Sequence, residues 1–400
     1  MTILNYDTLY YLYTSNYGTY QEIRSDSTGN FRDNFVWPQY EESNELFYGF
    51  EFNTGLVFNV FPLNTLITEN DIDNIRTGKA KLVLSNSHEA FHDYVEELYK
   101  ILVIEYRILP SNIILISESA DIASHIKKVA ASLGLEEMKS RWMRRFEYDV
   151  MHAKRIILED NPNTITLEDK VYDKKFLCFN RRWRGHRTAL VALLKATNQL
   201  GNGYVSLGKS DIPNDWLHVC FRDQYFMQGH PEAMDLLRSV QDELSTSFSD
   251  LYLDNTDLVT NRANLVTDTD YLYSSSYFSL VTETFFFRAE MPNEYGRFMS
   301  EKTFKPVAMK HPFIVLSVPH FLDKFRELGY KSFSPWINED YDLEHDDATR
   351  MMKIVRETER LSNLSPEELK DFLTAMRDIC EHNYQLLINK TESSDWFTDL

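Results

Sequence analysis

Lys175-Phe176-Leu177-Cys178-Phe179-Asn180-Arg181-Arg182-Trp183-Arg184-Gly185-His186-Arg187, followed by 188–196, is the stretch on which the fold turns. An apolar run too short for a helix, an arginine-rich loop and then apolar residues at helical spacing read as strand, loop and helix. A strand apolar on consecutive positions is buried on both faces, which is the habit of parallel sheets. The same grammar extends outward on both sides. Upstream, Leu82-Val83-Leu84 reads as a buried strand. A helix over 91–103 follows, with Phe91, Tyr94, Val95, Leu98, Ile101 and Leu102 on one face. After Pro110 come a strand at 113–116 and a helix carrying Ile122, Ala123, Ile126, Val129 and Ala130. Downstream, strands are expected at 203–207, 277–281 and 313–316 and a helix at 321–328.

Strand and helix in alternation predict an α/β protein. The chain has 400 residues, 43% of them hydrophobic, which suffices for two cores. Asn161-Pro162-Asn163 is the natural linker. The expected organisation is an N-terminal α/β domain at 1–165 with an aromatic-rich extension, a second α/β domain at 170–360, and a C-terminal packing helix at 365–390. That last helix has the strongest local start in the chain, Ser365-Pro366-Glu367-Glu368, with a capping Ser, Pro at the first helical position and Glu at the third.

Bulk charge narrows the partners. Forty-two basic against 61 acidic side chains give a formal charge of −19, which disfavours loose binding to nucleic acid or an anionic membrane. Cys178, Cys220 and Cys380 are odd in number and far apart, so they offer neither a disulfide framework nor a CxxC metal pattern. No basic segment followed by an apolar core opens the chain, and no apolar run approaches the ~20 residues that span a bilayer. The expectation is a soluble, cytoplasmic protein, in the host cytoplasm if the source is viral.

Three segments could carry chemistry. The first is the loop 180–187, four arginines and a histidine between a strand end and a helix start. Ligands of open α/β sheets sit beyond the carboxyl ends of strands, a helix N-terminus there favours anions, and guanidinium forks suit phosphate. A basic patch paired with the protein's own carboxylates is the plainer reading of the same loop. The second is Val281-Thr282-Glu283-Thr284 together with Ser300-Glu301-Lys302-Thr303-Phe304-Lys305-Pro306. Ser300 can cap a helix, Glu301 can accept both hydroxyls of a vicinal diol such as ribose, and Lys302 can reach a phosphate. An ordinary helix start explains the tripeptide equally, and Pro306 leaves open whether the helix begins at Ser300 or at Pro306 itself. The third is Ser85-Asn86-Ser87-His88-Glu89, past the first clear strand, where Glu89 or, second, His88 could serve as general base.

The order of strand, Asn/Arg-rich loop and helix, then Thr282-Glu283-Thr284, then the 300–316 segment resembles the C-terminal donor domain of fucosyltransferase-like GT-B glycosyltransferases. The segments 329–333 and 336–342 also look like phage and giant-virus glycosyltransferase-like proteins. The resemblance covers about 170 residues and implies two Rossmann-type domains facing a cleft. It implies a hexosyl- or pentosyltransferase that moves a sugar from a nucleotide donor to a hydroxyl acceptor with inversion; the sequence holds no convincing metal motif, so a metal-independent reaction is expected. Glu301 would bind ribose, Lys302 the diphosphate, and Arg182 or Arg187 the phosphates, with Asn180, Glu283 and Ser300 completing the donor site. No cofactor is expected beyond the nucleotide-sugar co-substrate. The acceptor is a glycan or a hydroxymethylated base in phage DNA, the latter supported only by the aromatic-basic run Arg141-Trp142-Met143-Arg144-Arg145-Phe146, whose plainer reading is a helix edge.

Two rivals stand beside this reading. One is a GT-A-like, metal-dependent transferase using Asp268 and Asp270; the pairs Asp71/Asp73 and Asp340/Asp342 share that spacing, as an acidic chain makes commonplace. The other is a non-catalytic nucleotide-binding protein.

Overall fold

The computed structural model describes residues 46–51, 63–86, 94–160, 172–180, 184–207, 230–241, 270–287, 298–390 and 397–399. Two compact units emerge, and the chain passes between them more than once. Unit 1 takes Met1–Arg145, Asn293–Phe298 and Thr391–Leu400; unit 2 takes Phe146–Pro292 and Met299–Lys390. The first crossing thus falls at Arg145/Phe146, earlier than the linker expected near 161–163. The cause is the helix α5 (Arg145–Asp160), which binds unit 2 residues. Arg155 Nε donates to Ile388 O at 2.9 Å and its Nη2 to Lys390 O at 3.0 Å. The buried Glu147 carboxylate accepts hydrogen bonds from Lys390 Nζ and Tyr330 Oη.

Unit 1 is built on β1 (Leu46–Glu51), β2 (Ala80–Asn86), β3 (Ile113–Ser117), β4 (Lys139–Met143) and β9 (Phe397–Asp399), in that spatial order. The first four are parallel, and β9 closes the edge antiparallel to β4. Leu82, Leu84, Ile113 and Leu115 share one sheet face with residues of α1 (Leu63–Leu66), α2 (Glu69–Arg76), α3 (Val95–Leu98) and α4 (Ile122–Leu133) in a single core. Thr68 and Asp71 start α2 as a reciprocal capping box, so Asp71 serves a helix end. The helix expected over 91–103 is described from Val95, and it widens into a π-helix at Tyr99–Glu105. Tyr106 N accordingly bonds Ile101 O at 2.9 Å. Tyr99 is pinned there, donating to Glu136 O at 3.0 Å and accepting from Met138 N at 2.9 Å.

The run 141–146 is not one helix edge: Arg141 to Met143 lie in β4 and α5 begins at Arg145. Trp142 is 3% exposed and donates Nε1–H to Glu118 O at 3.1 Å, so its face is withdrawn from any base.

Unit 2 holds an all-parallel sheet in the order β6 (Gly203–Val205), β5 (Lys174–Cys178), β7 (Ser276–Thr282), β8 (Phe313–Leu316). From β5 the chain runs through α6 (Gly185–Ala196) to β6 on one side, then returns past α7 (Pro231–Ser239) and α8 (Asp270–Ser274) to β7 on the other. That reversal makes the carboxyl ends of β5 and β7 a topological switch point. Gly203 faces Phe176 across the sheet, and a Cβ there would lie 2.2 Å from the Phe176 ring, so any other residue requires that ring to move. The remaining helices are α9 (Glu301–Ala308), α10 (Phe321–Glu327), α11 (Asp347–Ser362) and α12 (Pro366–Ile388). Both halves of the α12 capping box form, Glu368 N on Ser365 Oγ at 3.3 Å and Ser365 N on Glu368 Oε2 at 2.8 Å. Among the described residues no helix is long and apolar enough to cross a membrane.

Candidate functional site

The switch point collects most of the described sequence candidates. Asn180, directly past β5, is fully buried and ties three strand ends together. Its N–H donates to Ser206 Oγ at 3.0 Å, its Oδ1 accepts from Thr282 Oγ1 at 2.8 Å, and its Nδ2 donates to Cys178 Sγ at 3.2 Å. Burial pushes the Cys178 thiol up to about 12, against smaller opposing pulls from Asn180 and Arg187, so it stays a neutral thiol.

The α6 start leaves backbone N–H groups uncapped by any side chain. Arg184, the N-cap, is extended and gives no side-chain cap, while its carbonyl accepts from Arg187 N at 3.0 Å and Thr188 N at 3.1 Å. Helix geometry leaves the N–H groups of Gly185 and His186 without intrahelical acceptors. His186 Nε2 lies 3.0 Å from Glu283 O; a carbonyl only accepts, so Nε2 carries the proton and Nδ1 is bare. That Nδ1 is buried and has no hydrogen-bond partner, with Phe286 stacked at 5.7 Å and Phe287 edge-on at 5.8 Å. Burial, then the neighbouring Arg187, hold the His186 pKa well below its usual value, so the ring is neutral. Arg187 is 4% exposed and donates Nη2–H towards Thr282 O at 3.3 Å and Glu283 O at 3.4 Å. Burial and then Arg184 lower its pKa to about 10, which leaves it cationic at neutral pH.

Across from α6, Glu283 follows β7 with its carboxylate wholly enclosed. It accepts from Thr284 N at 3.1 Å, Ser300 N at 3.1 Å, Ser300 Oγ at 2.7 Å and Thr303 Oγ1. A carboxylate at a helix N-terminus with this many donors is an anchor for α9, and no oxygen of it is left for ribose. Ser300 caps α9, which starts at Glu301 and runs through Pro306; the helix start is Ser300, and Pro306 lies inside. Pro306 has no N–H for the Lys302 carbonyl.

Glu301 and Lys302 are the pair that opens outward, 25% and 27% exposed and 2.8 Å apart. Lys302 Nζ also donates to Ser300 Oγ at 3.0 Å. Desolvation alone would raise the Glu301 pKa, but the Lys302 charge and hydrogen bond, then Lys305, outweigh it and bring it down to about 2. The site therefore presents a fixed carboxylate and ammonium beside a buried guanidinium and a helix start.

Arg350 of α11 contributes without having been singled out in the sequence. It is 1% exposed, donates to Ser317 O at 3.0 Å and Phe286 O at 2.6 Å, and lies 4.3 Å over the Phe286 ring. It thereby clamps the loops that leave β7 and β8. A cation inside the buried stripe of Met351, Ile354 and Val355 was the available signal.

Arg182, His88, Glu89 and Asp268 lie outside the described residues, and Asp270 is described only as the first residue of α8. Asp342 caps the backbone of Leu322 at 3.2 and 3.1 Å. Among the described residues no three His, Cys, Asp or Glu side chains gather as a metal cluster.

No family model matches the chain, and no curated protein matches it. Among solved structures, the N-terminal domain of Candida albicans trehalose-6-phosphate phosphatase is similar at 11% identity, covering 95% of this chain and 73% of that one with a TM-score of 0.39. A likeness of that size assigns neither fold family nor activity.

Proposed function

We propose that the switch point of unit 2 binds the nucleoside-diphosphate part of a nucleotide sugar, and that the chain is a GT-B-like glycosyltransferase acting on a hydroxyl acceptor. The observation that carries this reading is the strand order β6-β5-β7-β8. It sets the α6 start, Arg187 and the Ser300-Glu301-Lys302 cap around the strand ends where α/β sheets take ligands. The roles follow from the chemistry of each group. Lys302 exchanges its contact with Glu301 for a phosphate oxygen, and the free N–H groups of α6 add to the same charge. Glu301, ionised over all ordinary pH, accepts the two hydroxyls of ribose. Arg187 and Glu283 stay fixed, one as buried positive charge and the other as the anchor that aims α9. When the glycosidic bond breaks, these preorganised dipoles and cations stabilise the departing diphosphate. Glu89 or His88 remains the proposed base, with unit 1 as the acceptor half.

The test is a thermal-shift panel of UDP, GDP, CMP and dTDP sugars on the full chain, repeated with Lys302→Ala and Glu301→Gln. One nucleotide class is expected to raise the melting temperature; occupancy at a hundredfold excess over Kd stabilises by about 2.7 kcal/mol. Lys302→Ala should remove most of that shift, and Glu301→Gln should reduce it. If no nucleotide shifts the protein, or if Lys302→Ala leaves the shift intact, the reading is rejected.

A further inference from the structure

We propose that the concavity formed by the carboxyl end of α10, the loop 332–343 and the last turn of α11 is a saccharide subsite, with Trp336 as the platform for a pyranose ring. The inference stands apart from the donor site: none of the residues lining the concavity belongs to the switch point.

Size and composition come first. The cavity measures about 850 Å³, within the range of roughly 300–1,000 Å³ that takes small ligands. Trp336 and Leu343 line it and are 46% and 57% exposed, although large apolar side chains elsewhere in the unit are mostly buried. A single exposed apolar residue is ordinary. Two in one concavity, one of them an indole, form an apolar floor.

The floor is rigid. Glu339 Oε1 accepts from Phe333 N at 2.7 Å and Ser334 N at 3.2 Å. Arg360 Nη2 donates to Trp336 O at 2.8 Å, and Asn338 N donates to Glu357 Oε1 at 2.9 Å. Three charged side chains thus fix the backbone on either side of Trp336 while its ring stays accessible. Binding to such a ring loses little platform entropy.

Charge selects the ligand class. Arg326 is engaged by Asp323 at 2.7 Å, Ser332 at 2.9 Å and Glu339 at 3.2 Å. Arg360 is engaged by Glu357 at 2.8 and 2.6 Å. Against these two guanidinium groups the lining sets three carboxyl groups, Glu339, Asp340 and Asp342. A phosphate would have to displace carboxylates and then face the rest. What is left for a ligand is the Asp340 carboxylate, the Ser334 hydroxyl, the Asn338 Nδ2, the Ser332 O–H and the Nη1 of Arg360, whose Nε and Nη2 are the atoms that Glu357 and Trp336 O occupy, while Asn338 Oδ1 accepts from Asp340 N at 3.0 Å. A carboxylate acceptor, hydroxyls and N–H donors in one concavity with an exposed indole match a neutral ring with equatorial hydroxyls and an apolar C–H face.

Saturation-transfer NMR on the full chain tests this, with maltotriose, cellotriose, chitotriose and mannotriose as probes and inorganic phosphate as competitor. At least one trisaccharide should receive transfer to its ring protons and titrate to saturation in the millimolar range or below. Trp336→Ala should weaken it by about tenfold or more, Asp340→Asn by several-fold, and Trp336→Phe should retain most of it. Phosphate should not compete. Because Trp336 and Asp340 are exposed, both variants should melt as the parent does and keep any nucleotide-induced shift, so failure here is distinguishable from failure of the donor site. No transfer to any of the four sugars, undiminished transfer in Trp336→Ala, or displacement by phosphate overturns the proposal. So does a change of sedimentation in Trp336→Ala, which would make the surface a contact between copies of the chain.

Discussion

Asp342 is buried, with both carboxylate oxygens on a single backbone donor, Leu322 N–H. Desolvation dominates, opposed in part by that donor, and raises its pKa to about 7. A carboxyl group whose folded pKa lies above its unfolded value holds its proton longer in the native state. Its contribution is therefore full below about pH 4 and is lost as pH rises to about 7. Asp342→Asn keeps the acceptor for Leu322 and removes the titration. The stability gap in favour of the variant should widen between pH 5.5 and 8 and stay flat above, reaching on the order of 2–4 kcal/mol. Urea melts at those two pH values check it, and a gap independent of pH would falsify the assignment. Asp342 also illustrates what a sequence conceals at this scale. Its spacing from Asp340 resembled a metal pair, yet its carboxyl group is buried on a helix start. Glu283 and Asn180 were legible as strand-end residues, because an apolar run announces where a strand stops. That their polar atoms are consumed by Ser300, Thr303, Thr282 and Ser206 was not legible, since those partners lie up to 102 residues away in sequence.

Elements were readable where burial on two faces left an unbroken apolar run, as at β2, β3, β5 and β8, or one broken only by a single Ser, as at β7. Strand β4 was not, because Lys139, Ser140 and Arg141 interrupt it and its partner β9 comes from the far end of the chain. The π-helical stretch at Tyr99–Glu105 was hidden for a subtler reason: its apolar spacing differs from an α-helix by about one residue per turn. Strand β6 shows how one residue decides an element. It is only three residues long, and Gly203 is where the Phe176 ring crosses it. Gly203→Ala puts a methyl group inside that ring's van der Waals envelope. The expected cost is about 1–3 kcal/mol, the range for overpacking, provided Phe176 can shift. Because β6 flanks the switch point, the variant should also blunt the nucleotide-induced shift, whereas Gly201→Ala, with open space around its Cβ, should do neither. Equal effects of the two substitutions would show that backbone freedom, and not the Phe176 contact, is what the position needs.

At the level of the whole chain, β9 joins unit 1 from the last ten residues, while Lys390, just before that crossing, is sealed inside unit 2 beside Glu147. Neighbouring positions near the C-terminus should therefore report on different units. Deleting residues 396–400 leaves β4 without its antiparallel neighbour, an exposed strand edge that loses backbone hydrogen bonds and invites association. Lys390→Met acts on unit 2 alone, stranding the Glu147 carboxylate, which is 0% exposed, without its ammonium. Removing one partner of a buried pair typically costs about 3–5 kcal/mol. Calorimetry should show the deletion lowering one transition and Lys390→Met lowering the other. The nucleotide-induced shift should follow the transition that Lys390→Met moves, because the switch point lies in unit 2. If both changes lower a single shared transition by similar amounts, the two units unfold as one body, and stability at the proposed donor site then depends on β9 as much as on the residues that line it.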